Sequence, residues 1–219
     1  MPNEWLAVAG DTCVVVNDVH RFGEDALLLA DFSAPKSGDR VCDLGTGCGA
    51  IALRLCTNYA PAAVHGIDID ADAVALATQA ADAYNGAPTP TFAVGDWHAP
   101  TTLGAAGTYD LVVCNPPYFP PASGSVSADE ARRRARHEQE GTLAAVCTAA
   151  ARLLRFGGRF CLCHRPERLT AVLAALTAAG MEPKRLCPVR HHEGQAPWLL
   201  LIEARRGGKA GLIWEEHTV

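Results

Sequence analysis

Short apolar runs alternate with longer helical patterns along almost the whole chain, and this alternation restricts it to a sheet with helices packed on its faces. Arg40 to Asp43, Val64 to Ile67, Thr91 to Val94, Tyr109 to Cys114 and Phe160 to Cys163 read as strands. Glu24 to Phe32, with Leu27, Leu28 and Leu29 on its buried side, reads as a helix ahead of them. Further helices are expected through Leu53 and Leu55, over the alanine-rich Ala71 to Tyr84, from Leu143 to Leu154 ending near Gly157-Gly158, and from Pro166 to Ala179. Leu6-Ala7-Val8 and Cys13 to Val16 flank Gly10-Asp11 as a short hairpin, and Lys184 to Val189 and Trp198 to Glu203 form a late antiparallel pair. The order predicts a doubly wound α/β fold: a mostly parallel, seven-stranded, Rossmann-like sheet with a short N-terminal hairpin, in one domain over residues 1–219.

Composition narrows the class. Apolar residues make up 49% of the chain, enough for a full core in a soluble globular protein. No apolar run approaches the ~20 residues that span a bilayer, and the first residues lack the basic-then-apolar pattern of a signal peptide. Nine cysteines, an odd count without framework spacing, point to reduced thiols and a cytoplasmic setting. The net charge of −5 excludes a protein that is basic all over, while leaving room for a local basic patch.

The strand ending in Asp43 runs into Gly45-Thr46-Gly47-Cys48-Gly49. Glycines there let the backbone approach a ligand at the carboxyl end of a strand, where open α/β sheets bind ligands. The spacing is Gly-x-Gly-x-Gly, not the Gly-x-Gly-x-x-Gly of dinucleotide sites, and the Lys-Ser/Thr of a phosphate loop is missing. A nucleoside cofactor without a pyrophosphate fits better, and S-adenosylmethionine is the obvious one. Asp68 ends the second strand, where a carboxylate can accept both ribose hydroxyls. Asp96 follows the third, placed to accept from an adenine amino group, with Trp97 beside it to pack on the ring. Any one of these acids can equally cap a helix or start a turn, but three at successive strand ends are hard to dismiss.

The second motif is Asn115-Pro116-Pro117-Tyr118, directly after Leu111 to Cys114. Two prolines cannot continue a central strand, so the chain turns out at Asn115, beside the cofactor loop. An amide oxygen and a proline carbonyl can each accept from an NH2 group and so aim its lone pair at a methyl sulfonium. Positioning then supplies most of the catalysis, without an obligatory general base. Tyr118 offers a ring for a planar base to stack on. Together the two motifs describe a site for methylating a nitrogen.

On these residues the chain resembles class I S-adenosylmethionine-dependent methyltransferases of the small-domain amino-methyltransferase group, most closely the tRNA1(Val) adenine-37 N6-methyltransferase family. The resemblance is carried by Arg21-Phe22-Gly23-Glu24-Asp25-Ala26-Leu27-Leu28-Leu29, the glycine loop and the Asn-Pro-Pro-Tyr tetrad. Ala135-Arg136-His137-Glu138, Arg165-Pro166-Glu167-Arg168-Leu169, Pro183-Lys184-Arg185 and Gly207-Gly208-Lys209-Ala210-Gly211-Leu212 narrow it further. Asp68 stands where a Glu is frequent, and Cys48 where Ser or Thr is common. The resemblance implies cofactor contacts from Asp43, Gly45, Thr46, Gly47, Gly49, Asp68, Ile69, Asp96, Trp97 and Asn115. It implies catalysis by Asn115, Pro116, Pro117 and Tyr118 and a tRNA partner; the residues themselves offer no membrane span and no metal-ligand set, and the oligomeric state stays open with a monomer favoured.

Arg132, Arg133, Arg134 and Arg136 lie in a long segment leaving the tetrad and suit phosphate binding, with Arg21, Phe22 and His137 as further substrate contacts. Arg205, Arg206 and Lys209 are candidates to extend that patch. The plain alternative is a solvated face paired with Asp129, Glu130 and Glu138. Cys161 and Cys163 read as packing residues, and His191-His192-Glu193 as a surface turn. A protein glutamine-amide methyltransferase of the release-factor type uses the same tetrad but carries an extra N-terminal helical domain, and little chain precedes the glycine loop here. A guanine N2-methyltransferase, usually duplicated, and a degenerate RNA-binding domain are the remaining alternatives.

Overall fold

The computed structural model describes residues 3–116 and 142–218. The hairpin pairs β1 (Glu4–Ala9) with β2 (Thr12–Val16). The main sheet contains β3 (Arg40–Leu44), β4 (Ala63–Asp68), β5 (Thr91–Val94), β6 (Tyr109–Cys114), β7 (Leu154–His164), β8 (Met181–Arg190) and β9 (Leu199–Arg206). Their order is β8-β9-β7-β6-β3-β4-β5. β3 to β7 are parallel, and β9 runs antiparallel between β7 and β8. Two short strands, β10 (Ile213–Trp214) and β11 (His217–Thr218), add to β8 at the outer edge, so the seven expected strands carry a small C-terminal extension.

The chain moves from β3 outward to β5 and then returns to β6 on the other side of β3. That reversal creates a crevice beyond the carboxyl ends of β3 and β6. The glycine loop and Asn115-Pro116, the first half of the second motif, sit there.

Helices α1 (Glu24–Ser33) and α2 (Ala50–Tyr59) cover one face with Leu29, Leu55, Val113, Cys161 and Cys163 in a common core. A helix over residues 142–153, α4 in chain order after α3 (Ala71–Asp82), covers the other face together with α5 (Leu169–Ala178). Each fully buried Leu or Phe, such as Leu111 or Phe160, contributes on the order of 1.5–3 kcal/mol. The hairpin lies over α2 and α3 through Val14, Leu53, Leu76 and Ala80. The buried stripe of α1 is Ala26, Leu29, Ala30 and Ser33, at helical spacing. Leu27 and Leu28 are therefore only half-buried, unlike the expected run of three.

Two strands are longer than their sequence patterns. β7 starts at Leu154, directly after α4, because Gly157 and Gly158 form an irregularity inside the strand rather than a helix end. Gly157 has a φ of +79°, and a Cβ on Gly158 would lie 3.0 Å from the Arg155 carbonyl oxygen and 3.1 Å from that of Asp110. β8 includes Pro183 and Pro188, tolerated because only short pieces of strand lie on its outer side. Cys161 and Cys163, two apart, share one face.

On the sheet face beneath α1, buried Glu203 accepts from Arg159 Nη1 (3.3 Å) and Arg185 Nη1 (3.0 Å). Asp39 also holds Arg159, and Glu215 holds Arg185. Removing a partner from a buried ionic network costs about 3–5 kcal/mol. Glu203→Ala should fall at the low end, about 3 kcal/mol, because each arginine keeps one acid. Urea denaturation reads this directly, and a loss under about 1 kcal/mol would show the network contributes no more than a surface pair.

Candidate active site

Asp43, next to last in β3, has no solvent exposure, and its Oδ2 accepts from Thr46 Oγ1 at 2.7 Å. The amides of Gly45 and Thr46 both donate to the Ile67 carbonyl, at 2.7 and 3.0 Å, so the loop is clipped to the end of β4. Gly45, Gly47 and Gly49 have φ values of +78°, +55° and +83°, where a side chain is strained. Gly45 and Gly49 also answer to packing: a Cβ would lie 3.2 Å from Trp97 in the first case and 3.0 Å from Phe92 in the second. At Gly47 a Cβ would meet nothing within 4 Å, so this turn of the loop borders open space.

The other strand ends converge on the same loop. Asp68 Oδ2 accepts from Gly47 N at 2.8 Å, and its Oδ1 from Asp70 N at 3.0 Å. Ile69, next in the chain, is 62% exposed despite its apolar side chain. Asp96 Oδ1 accepts from His98 N at 2.8 Å, so this half-buried acid shapes its own turn. Trp97 packs partly into the core beside Gly45.

On the other side of the loop lies a cleft of about 250 Å³. Arg21, Phe22, Asp25, Gly45, Thr46, Gly47, Asn115 and Pro116 line it. Three segments far apart in sequence thus meet: the stretch before α1, the glycine loop and the first half of the tetrad. Asn115 Nδ2 donates to Asp25 Oδ2 at 3.1 Å, and its Oδ1 accepts from the Cys163 thiol at 3.1 Å. Neither partner stood out in the sequence as a contact of Asn115. Asp25 entered only within the Arg21 to Leu29 segment, and Cys163 read as packing. Arg21 reaches the cleft rim and pairs with Glu4 at 3.3 Å.

Pro117, Tyr118, Arg132, Arg133, Arg134, Arg136 and His137 lie outside the described residues. Arg205, Arg206 and Lys209 do not extend a patch at this cleft. Arg205 pairs across from Arg159 in mid-β7, Arg206 donates to the Leu154 carbonyl at the start of β7, and Lys209 follows β9, so they lie toward the amino-terminal end of the parallel strands. Among the described residues no group of three or more His, Cys, Asp or Glu side chains is placed to hold a metal ion. Likewise, no described helix is long and apolar enough to cross a membrane.

Burial pushes the Asp43 carboxyl up to about 7, and the Thr46 hydroxyl recovers only part of that shift. Burial likewise raises Cys48 to about 11 and Cys114 well above the ordinary thiol range, so both stay protonated and unreactive. His164, just past Cys163, is held down at about 4 by burial and by Arg168 and Arg165, and is neutral at pH 7. Asp43 Oδ1 is buried with no hydrogen-bond partner among the described residues. That orphan acceptor, the open border at Gly47 and the acids at the ends of β4 and β5 suit a nucleoside bearing an amino-acid tail.

A sequence profile described as a methyltransferase domain matches residues 35–201. A tRNA1(Val) (adenine(37)-N6)-methyltransferase of Tolumonas auensis is 33% identical over 183 residues, covering 83% of this chain and 75% of that protein. A release factor glutamine methyltransferase of Rhodospirillum rubrum is 38% identical over 128 residues, covering 58% of this chain and 37% of that protein. Among solved structures, a predicted O-methyltransferase from Agrobacterium tumefaciens superposes with a TM-score of 0.69 at 20% identity. It covers 89% of this chain and 86% of its own. At that identity the likeness shows the fold.

The Asp43 shift has a sign that can be measured. A carboxyl whose folded value lies above its unfolded value binds its proton more tightly when folded. The stability it contributes is complete below about pH 4 and is lost as pH rises through about 7. Thermal unfolding of the protein without cofactor should therefore show a fall between those limits that Asp43→Asn flattens. An identical profile for the variant would mean Asp43 does not titrate there.

Proposed function

The chain belongs to the methyltransferase-domain family and uses S-adenosylmethionine, and from that premise we propose that its acceptor is the N6 amine of an adenine in tRNA. The observation that carries this reading is Asn115, held at the carboxyl end of β6 in one cleft with the glycine loop. Coverage supports it: the Tolumonas auensis tRNA-modifying relative matches over 83% of this chain and 75% of its own length, whereas the release-factor glutamine methyltransferases match over 58% and 37% in one case and 81% and 65% in another.

Bound S-adenosylmethionine supplies an electrophilic methyl group on a sulfonium. The residues that would hold it are Asp43, Gly45, Thr46, Gly47 and Gly49 around the tail, Asp68 on the ribose, and Ile69, Asp96 and Trp97 around the adenine. Asp68 already accepts backbone N–H groups at both oxygens, which fixes its carboxylate while leaving lone pairs for hydroxyls. Asn115 Oδ1 and the Pro116 carbonyl accept the two hydrogens of the substrate amine and turn its lone pair toward the methyl group. Proline at 116 cannot continue the strand ladder, which keeps those acceptors at the strand end. Tyr118 supplies a face for a base that has left its stack. Arg132, Arg133, Arg134 and Arg136 bind backbone phosphates, with His137 as a further substrate contact and Arg21 and Phe22 contacting the substrate at the cleft.

The test is transfer of labelled methyl from S-adenosylmethionine to total tRNA from a strain lacking the protein, followed by nucleoside analysis. N6-methyladenosine is expected. Labelled N2-methylguanosine, or label on a release-factor glutamine peptide with none on tRNA, would replace the reading. Asn115→Ala should lower the single-turnover rate by about 10²-fold or more at saturating cofactor, while S-adenosylhomocysteine affinity changes little. Asp68→Ala should do the reverse, weakening affinity in calorimetry. Near wild-type turnover for Asn115→Ala would exclude the orienting role.

A further inference from the structure

Asn115 can orient an amine only if its own amide is oriented. A carboxamide turned end for end presents donors where the substrate needs an acceptor. Rotation about the terminal torsion of an asparagine is soft, so the strand end alone does not settle which end faces which way. Its two described partners do. Asp25 Oδ2, 3.1 Å from Nδ2, belongs to a carboxylate that only accepts when ionised. The Cys163 thiol, 3.1 Å from Oδ1, donates. Acceptor against NH2 and donor against oxygen specify the same orientation from opposite sides. The amide oxygen has two lone pairs, and the thiol uses one.

Both partners are themselves fixed. Asp25 Oδ1 accepts from Ala26 N at 2.9 Å, which ties the carboxylate to the first turn of α1. A side chain on Gly23 would place its Cβ 2.6 Å from that same oxygen, so Gly23 keeps the space the carboxylate occupies. Cys163 is fully buried in β7, strand neighbour of β6, with the register pairing Cys114 and Leu162 just before the contact. Burial keeps the surrounding sulfur chemistry quiet. Cys114, adjacent to Asn115, is held protonated.

We infer that Asp25 and Cys163 are positioning residues that act through Asn115, fixing its amide with the oxygen available to the substrate amine. The inference rests on the reading of Asn115 as the acceptor that aims the amine. It assigns Asp25 a purpose beyond starting α1.

A double-mutant cycle on single-turnover rate at saturating cofactor tests the claim. Asp25→Ala should slow transfer about tenfold or more in the Asn115 enzyme, and less than about twofold in the Asn115→Ala enzyme, because its effect runs through that side chain. Asp25→Asn keeps an acceptor and should recover most of the rate. Cys163→Ser keeps a donor and should exceed Cys163→Ala. Equal fold losses in both backgrounds, or an unchanged rate with weakened S-adenosylhomocysteine binding, would overturn the role. A second readout needs no turnover: in ¹⁵N-labelled protein, the Asn115 side-chain NH2 should exchange with water faster in Asp25→Ala than in the parent. Equal exchange would also overturn it. If the wild-type protein methylates no tRNA, the acceptor reading fails while this exchange measurement still decides the positioning claim.

Discussion

Two backbone amides, those of Gly45 and Thr46, share one acceptor, the carbonyl of Ile67, and the geometry of the site follows from that clip. It binds the turn after β3 to the end of β4, and so sets where Asp43, Gly47 and Asp68 stand relative to one another. Asp43 can lie buried there because Thr46 returns a hydroxyl to it at 2.7 Å. Gly47 can border open space because its neighbouring glycines take up the packing against Trp97 and Phe92. A side chain on Gly45 or Gly49 would push the loop off those rings, and the open border at Gly47 would move with it.

The acceptor side of the site is built by different means. Asn115 leaves β6 one strand over, and its position comes from parallel pairing of β6 with β3 and β7. Its orientation comes from side chains on two other elements, α1 and β7. Cofactor cradle and amine acceptor therefore depend on separate structural features that meet only in the cleft. Changes in one are expected to leave the other largely intact, which is why binding and turnover can be separated experimentally.

Much of this was legible in the chain. The glycine spacing, the acids at three strand ends and the Asn-Pro-Pro turn all report local backbone constraints, and local constraints are written in consecutive residues. The mostly parallel sheet and its late antiparallel pair followed from the alternation of strands and helices. What the sequence hid was long-range or context-dependent. Gly157-Gly158 looks like a helix stop because a bulge inside a strand has the same local signature. β8 looked shorter than it is because prolines in a strand are tolerated only where the outer side is sparsely paired, and that neighbourhood is not local. The contact of Asp25 with Asn115 spans ninety positions, so no periodicity reveals it. Arg205 and Arg206 looked like part of a basic surface at the site, yet the antiparallel run of β9 carries them to the far end of the sheet.

The account stands on one arrangement: glycine loop, Asp68 and Asn115 facing a single bound cofactor. A crystal structure of the protein with S-adenosylhomocysteine tests it most directly. The expected result places the ribose hydroxyls on Asp68, the amino-acid tail along Gly45 to Gly49, and the sulfur facing the Asn115 amide across the cleft. A cofactor bound elsewhere, for instance in the larger hollow between the hairpin and the end of α3 that Trp5 and Tyr84 line, would contradict it. So would a sulfur turned away from Asn115.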